Sequence, residues 1–104
     1  MKHYEVVISE QAEEDIAEIY SYIYYDLGSE INAIAILDRL YAAIEQLSFV
    51  GESYHLYPNE PWRSRGIHYF SVNNYSIFYA VVNSIITVIH VAYGRRDLDR
   101  VLEE

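Results

Sequence analysis

The chain has 104 residues, enough for one domain, and 52% of them are hydrophobic, which is ample for a core. It has no cysteine, so neither a disulfide framework nor thiolate chemistry is available. The net charge of −9 argues against non-specific binding to nucleic acid, which needs a basic surface. No apolar run is long enough to span a bilayer, and the N-terminus lacks a signal-peptide pattern. A soluble cytoplasmic protein is the expectation. Twelve tyrosines point to many side chains set half in and half out of a core.

Taken in order, Tyr4–Ser9 reads as a short strand that needs a place beside or within a larger sheet. Ser9 then reads as a helix N-cap, and Glu10, Glu13, Glu14 and Asp15 supply negative charge where the helix dipole favours it. Ala12, Ile16, Ile19, Tyr20 and Ile23 recur at helical spacing as one apolar stripe. The helix is expected to end near Asp26-Leu27, with Gly28 as a left-handed stop. Ser29 starts a second helix, whose stripe is Ala33, Leu37, Leu40, Tyr41, Ile44 and Leu47. So short a connection makes the pair an antiparallel hairpin.

Phe49–Trp62 breaks the helical pattern. Gly51, Pro58 and Pro61 punctuate it, and Tyr54, His55, Tyr57 and Trp62 give it bulk, so a loop packing its aromatics over the sheet edge is expected. Gly66–Val72, Tyr75–Val82 and Ile85–Ala92 follow as three strands rich in Tyr, Phe, Val and Ile. Asn73-Asn74 and Asn83-Ser84 between them suit tight hairpin turns, which makes the three a meander. The middle strand is apolar on both faces apart from Ser76, so it is the central strand. Arg95–Glu104 reads as a charged tail of one or two helical turns, with Asp97 as N-cap and Leu98, Val101 and Leu102 docking. The fold class is therefore α+β in a single domain spanning 1–104. A two-helix hairpin covers a twisted antiparallel sheet, and each element hides the other's apolar face.

Charge is unevenly spread. Residues 1–50 hold Lys2 and Arg39 against ten acidic residues, whereas residues 62–100 hold Arg63, Arg65, Arg95, Arg96 and Arg100 against Asp97 and Asp99. The acidic half fits a solvated helical surface, and the arginines form a candidate site.

The opening YEVVISEQAEEDIAEIYSYI, the arginine-led RSRGIHYFSV, the strand YSIFYAVV and the close IITVIHVAYGRRDL stand in an order and at a spacing that resemble the RelE/ParE superfamily of type II toxin–antitoxin toxins. The close looks most like the ParE branch. The resemblance implies a plasmid-stabilisation or growth-arrest toxin, neutralised by a cognate antitoxin as a heterotetramer or similar complex. It also implies one of two targets: DNA gyrase for the ParE branch, or messenger RNA on the ribosome for the RelE branch. A toxin-fold module without activity is a further alternative.

Metal-free RNA cleavage needs a base, positive charge on the phosphorane and an acid. Arg65, His90, Tyr93 and Arg95 are the candidates, with His90 suited to proton transfer and an arginine to phosphate binding. Against this, Lys2 is the only lysine, Tyr75 stands where many nuclease members of the superfamily carry an arginine, and the net charge opposes approach to RNA. His90 and His68 also fit core-edge histidines bonded to backbone, and the arginines fit exposed ion pairs or stacking on Trp62 or Tyr69. The resemblance thus favours a non-enzymatic binder using Arg63, Arg65, Tyr93, Arg95 and Arg96 on a protein target. No cofactor or metal is expected, because His3, His55, His68 and His90 lack ligand spacing. Exposed Tyr, Ile and Val make a homodimer or other partner an expectation in every case.

Overall fold

A computed structural model of the chain describes residues 3–94 and 97–103. The chain runs β1 (Glu5–Ile8), α1 (Glu10–Ser21), a π-helical turn (Tyr22–Asp26), α2 (Glu30–Val50), a 3-10 turn (Gly51–Ser53), β2 (Ile67–Val72), β3 (Tyr75–Val82), β4 (Ile85–Tyr93) and α3 (Leu98–Glu103). One sheet holds all four strands in the order β1-β4-β3-β2. The meander is antiparallel as expected, but β1 runs parallel to β4, so the sheet is mixed rather than wholly antiparallel. The loop backbone already lines the outer edge of β2, through the Leu56–His68 bridge and the bond from Tyr69 N–H to the His55 carbonyl. That leaves β4 as the edge open to β1. The Ser9 N–H bonds the Val88 carbonyl, so α1 begins over the middle of β4 with no intervening loop.

Both helices start where a serine caps them. Ser9 Oγ accepts from Ala12 N–H at 3.1 Å, and Ser29 Oγ from Asn32 N–H at 3.2 Å. Ala12, Ile16, Leu40, Ile44 and Leu47 are buried against Phe70, Ile77, Tyr79, Ile86, Val88 and Val91 on one face of the sheet. The first helix does not reach Asp26 as a regular α-helix. Its last turn widens to π geometry, with Leu27 N–H bonded to the Tyr22 carbonyl. Three bulky tyrosines crowd this turn. Widening turns Ile23 inward while Tyr20 stacks on Tyr24 with ring centroids 5.7 Å apart. Gly28 then takes φ +67° and reverses the chain.

Asn73, Asn83 and Ser84 have positive φ in the two hairpin turns, as such turns demand. The second face of the sheet is covered too. Tyr57 and Trp62 from the long loop, and Leu98 from α3, are buried with Ile67, Phe78 and Ala92. The aromatics of the loop therefore lie across a face, while its backbone follows the edge. Asp97 closes the first turn of α3 through its carbonyl, which accepts from Arg100 N–H and Val101 N–H. Asp99 accepts from the Tyr57 hydroxyl and from Asn59 Nδ2, tying α3 to the loop.

Candidate functional site

The site grows from an irregularity in β4. Strict alternation would put Ile86, Val88, His90 and Ala92 on one face. A β-bulge intervenes: Tyr79 pairs with Val88, but Phe78 pairs with His90, so Ile89 is an extra residue. Beyond the bulge Val91 joins the core under the helices, and Ala92 joins the cluster on the opposite face. β1 pairs only as far as Val88, so no described strand flanks residues 89–93 on that side.

A side chain from α1 fills part of this gap. Asp15 Oδ2 accepts from Val91 N–H at 3.0 Å and lies 3.2 Å from His90 Nδ1. A carboxylate only accepts, so His90 Nδ1 is the donor in this contact. Burial raises the Asp15 pKa, yet the bonds from His90, Val91 and Gln11 outweigh it and hold the carboxyl below its usual value. His90 is only 6% exposed.

Between this edge, α1 and the π-helical turn lies a cleft of about 590 Å³. Ile19, Ile23 and Leu27 supply one wall, and Tyr75, Val91 and Tyr93 the other. Asp15 and Glu18 put carboxylates on it, and Val101 of α3 reaches its margin. Tyr93 is 70% exposed and sits 5.3 Å from Tyr75 in an edge-on ring pair. Tyr22 and Leu27, which also line the cleft, are exposed.

The candidate residues named from the sequence are not all brought together. His90 and Tyr93 border this one cleft. Arg65 precedes Ile67, which pairs through Ala80 with Thr87; Tyr93 pairs through Tyr75 with Val72. Arg65 and Tyr93 thus stand at opposite ends of β2, a strand that spans roughly 17 Å at about 3.3 Å per residue. Arg63 and Arg65 lie exposed in the loop that covers the second face, and Arg100 lies exposed on α3 in the same layer. Arg95 and Arg96 fall outside the described residues. His68 stacks on Tyr79, and its Nδ1 lies 2.8 Å from the Tyr54 carbonyl, which is a packing role. Among the described residues no three His, Asp or Glu side chains are grouped to hold a metal, and no helix is long and apolar enough to cross a membrane.

Asp15 is the residue that sequence reasoning missed as a site member. It sits directly before Ile16, on the flank of the apolar stripe, and that position was its signal.

No curated protein sequence matches the chain. Two solved structures are similar in fold. One is described as the chromosomal ParDE toxin–antitoxin system from P. aeruginosa, with a TM-score of 0.74 at 16% identity over 89% of this chain and 98% of that one. The other is the toxin–antitoxin complex RelBE2 from Mycobacterium tuberculosis, with a TM-score of 0.53 at 13% identity over 88% of this chain and 98% of that one. The family model described as the ParE toxin of the type II toxin–antitoxin system, parDE, matches residues 6–98. With the helical hairpin, the meander and all but the first residue of β1 inside that match, the chain belongs to the ParE toxin family.

Proposed function

We propose that the chain is a toxin neutralised by a cognate antitoxin, and that it arrests growth by binding a protein target, DNA gyrase, rather than by cutting RNA. Membership of the ParE family and the likeness to toxin–antitoxin complexes support the first part. The observation that carries the second is that Arg65 and Tyr93 stand at opposite ends of β2, and that Arg65 is not among the residues lining the cleft that His90 and Tyr93 border. Transition-state charge has to be met within hydrogen-bonding distance, and an arginine at the far end of the strand does not meet it. Docking on a protein surface makes no such demand. Tyr93 offers an exposed aromatic beside the tail, and Arg63, Arg65, Arg95 and Arg96 offer charge-assisted contacts.

The test is to incubate the purified chain with gyrase and relaxed plasmid. Inhibition of supercoiling, or build-up of a cleaved complex, is expected. Normal supercoiling with no cleaved complex ends the gyrase assignment.

One observation favours a second reading. The Asp15–His90 pair orients an imidazole beside Tyr93 in a cleft, as acid–base chemistry on RNA requires. In that reading the chain is a ribosome-dependent endoribonuclease in which Arg65, His90, Tyr93 and Arg95 are the sequence candidates, with His90 and Tyr93 bordering the cleft and Arg65 not lining it. Primer extension on translated messages after induction decides it: new 5′ ends at A-site codons support the nuclease, and their absence removes it.

A further inference from the structure

The outward side of α2 is open from end to end. Ala33, Leu40, Ile44 and Leu47 are buried beneath the helix. On a helix of 3.6 residues per turn the line opposite them runs through Ile31, Ala35, Asp38, Ala42, Glu45 and Phe49. Ala35 is half-buried and the other five are exposed, Ile31 to 81% and Phe49 to 53%. A solvated helix face is ordinarily polar, yet this one has a large apolar side chain at each end and alanines between. Its charge is sparse. From Ile31 to Phe49 the charged residues are Asp38, Arg39 and Glu45. Arg39 is exposed and makes no ion pair with any described residue.

This line of side chains complements itself when the helix is reversed. With a two-fold axis at the level of Leu40, an antiparallel copy sets Ile31 against Phe49, Ala35 against Glu45 and Asp38 against Ala42, each contact occurring twice. Apolar then meets apolar at both ends. Each carboxylate lies over an alanine, which leaves it room to reach water. Arg39 stands within one turn of the axis, in reach of Asp38 of the second copy. We infer that α2 is the interface of a homodimer, in which two copies pack this helix antiparallel about that axis. The net charge of −9 opposes self-association in general. The outward side of α2 is suited to overcome it, because it sets one arginine against two carboxylates. α1 exposes Glu10, Glu13, Glu14 and Glu18 with no basic residue among them. No residue of α2 lines the cleft, so the interface holds whichever target the chain acts on.

The experiment is sedimentation equilibrium on the purified full chain over a wide range of concentration. A reversible monomer–dimer equilibrium is expected. Ile31→Asp and Phe49→Lys should each weaken the dimer about tenfold or more, as loss of an apolar anchor does. Both new charges suit their end of the helix dipole and both sites are exposed, so the thermal midpoint of the dilute monomer should hardly move. Combining the two substitutions in one chain tests the direction of packing. The positions lie about 27 Å apart along one helix, so the new charges can meet only across the interface. The double variant should therefore dimerise more tightly than either single one. Glu14→Gln, on α1, should leave the dimer within about twofold. A chain that stays monomeric throughout overturns the inference. A dimer indifferent to both single substitutions belongs to another face and overturns it too. A double variant weaker than both single ones makes the antiparallel register wrong. If the free chain is monomeric and the same substitutions weaken its complex with the product of the adjoining reading frame, α2 belongs to the antitoxin and the homodimer is wrong.

Discussion

The Tyr79 hydroxyl donates to the Gly51 carbonyl at 2.7 Å, joining the centre of the sheet to the end of α2. Tyr79 is fully buried, and the carbonyl it satisfies belongs to a glycine at φ +51° whose Cβ position the Tyr4 ring occupies. Tyr79→Phe removes the donor and leaves a buried carbonyl without it, which should cost about 1–3 kcal/mol. Gly51→Ala should cost more. Its new methyl would overlap Tyr4 Cε1, and the backbone angle is unfavourable as well. Chemical denaturation of both variants gives the order directly.

The burial of the same side chain sets an alkaline limit. Burial pushes the Tyr79 hydroxyl up to about 12, against an ordinary value near 10. A group whose folded pKa is raised stabilises the fold fully below its unfolded pKa. That contribution should therefore be whole below about pH 10 and fade as pH rises toward 12. Unfolding followed across pH 9–12 should show a loss of stability in the wild type that is shallower in Tyr79→Phe.

At the acid end the sign reverses. The Asp15 carboxyl is held below its usual range, because the bonds from His90, Val91 N–H and Gln11 outweigh the opposing effect of burial. Its contribution is present above the ordinary carboxylate pKa of about 3.9 and is lost as pH falls through and below that value. Asp15→Asn keeps an acceptor for the Val91 amide but cannot ionise. Its stability should respond less to pH between about 5 and 2 than the wild type, and parallel curves would show that Asp15 is not the linked group.

Most of the architecture was readable because it follows from spacing. Ser9 and Ser29 cap, Gly28 turns, and the stripes of α1 and α2 bury where period 3.6 puts them. Asn73 and Asn83 adopt the left-handed geometry their type tolerates. What spacing could not show is the extra residue in β4. Ile89 looks like any strand residue, yet its insertion moves Val91 into the core and Ala92 out of it. The Asp15–His90 contact depends on that bulge and on a separation of 75 residues, so no local pattern reports it. The parallel pairing of β1 was hidden for a similar reason, since a four-residue strand fits either direction until its neighbour is known.

Trp62 offers a probe of the second face. It is the only tryptophan, it is buried beside Tyr57, and Leu98 of α3 packs in the same cluster. The Tyr57 hydroxyl and Asn59 Nδ2 both reach Asp99, which lowers the Asp99 carboxyl pKa and raises that of Tyr57, whose larger cause is burial. Asp99→Ala removes both bonds. α3 should then loosen, exposing Trp62, with a red shift in its emission and faster exchange of the 98–103 amides. The helices α1 and α2 should keep their protection, because they pack on the other face. An unchanged spectrum would mean that Leu98 alone holds α3 in place.

Tyr93 separates the two functional readings with a single atom. It is exposed and pairs edge-on with Tyr75, so Tyr93→Phe keeps the ring, the contact and almost all of the surface while deleting the proton. A docking aromatic works through its face and edge, so Tyr93→Phe should retain gyrase inhibition within about threefold. Tyr93→Ala removes the exposed anchor and should lower inhibition tenfold or more, about 1.4 kcal/mol in binding. A proton donor in RNA cleavage would behave differently, because general acid–base groups contribute about 100-fold or more. Growth arrest on induction, scored beside supercoiling inhibition for both variants, therefore distinguishes them. Arrest that survives Tyr93→Phe and fails with Tyr93→Ala supports docking, whereas arrest lost equally in both supports chemistry at the hydroxyl and removes the gyrase reading.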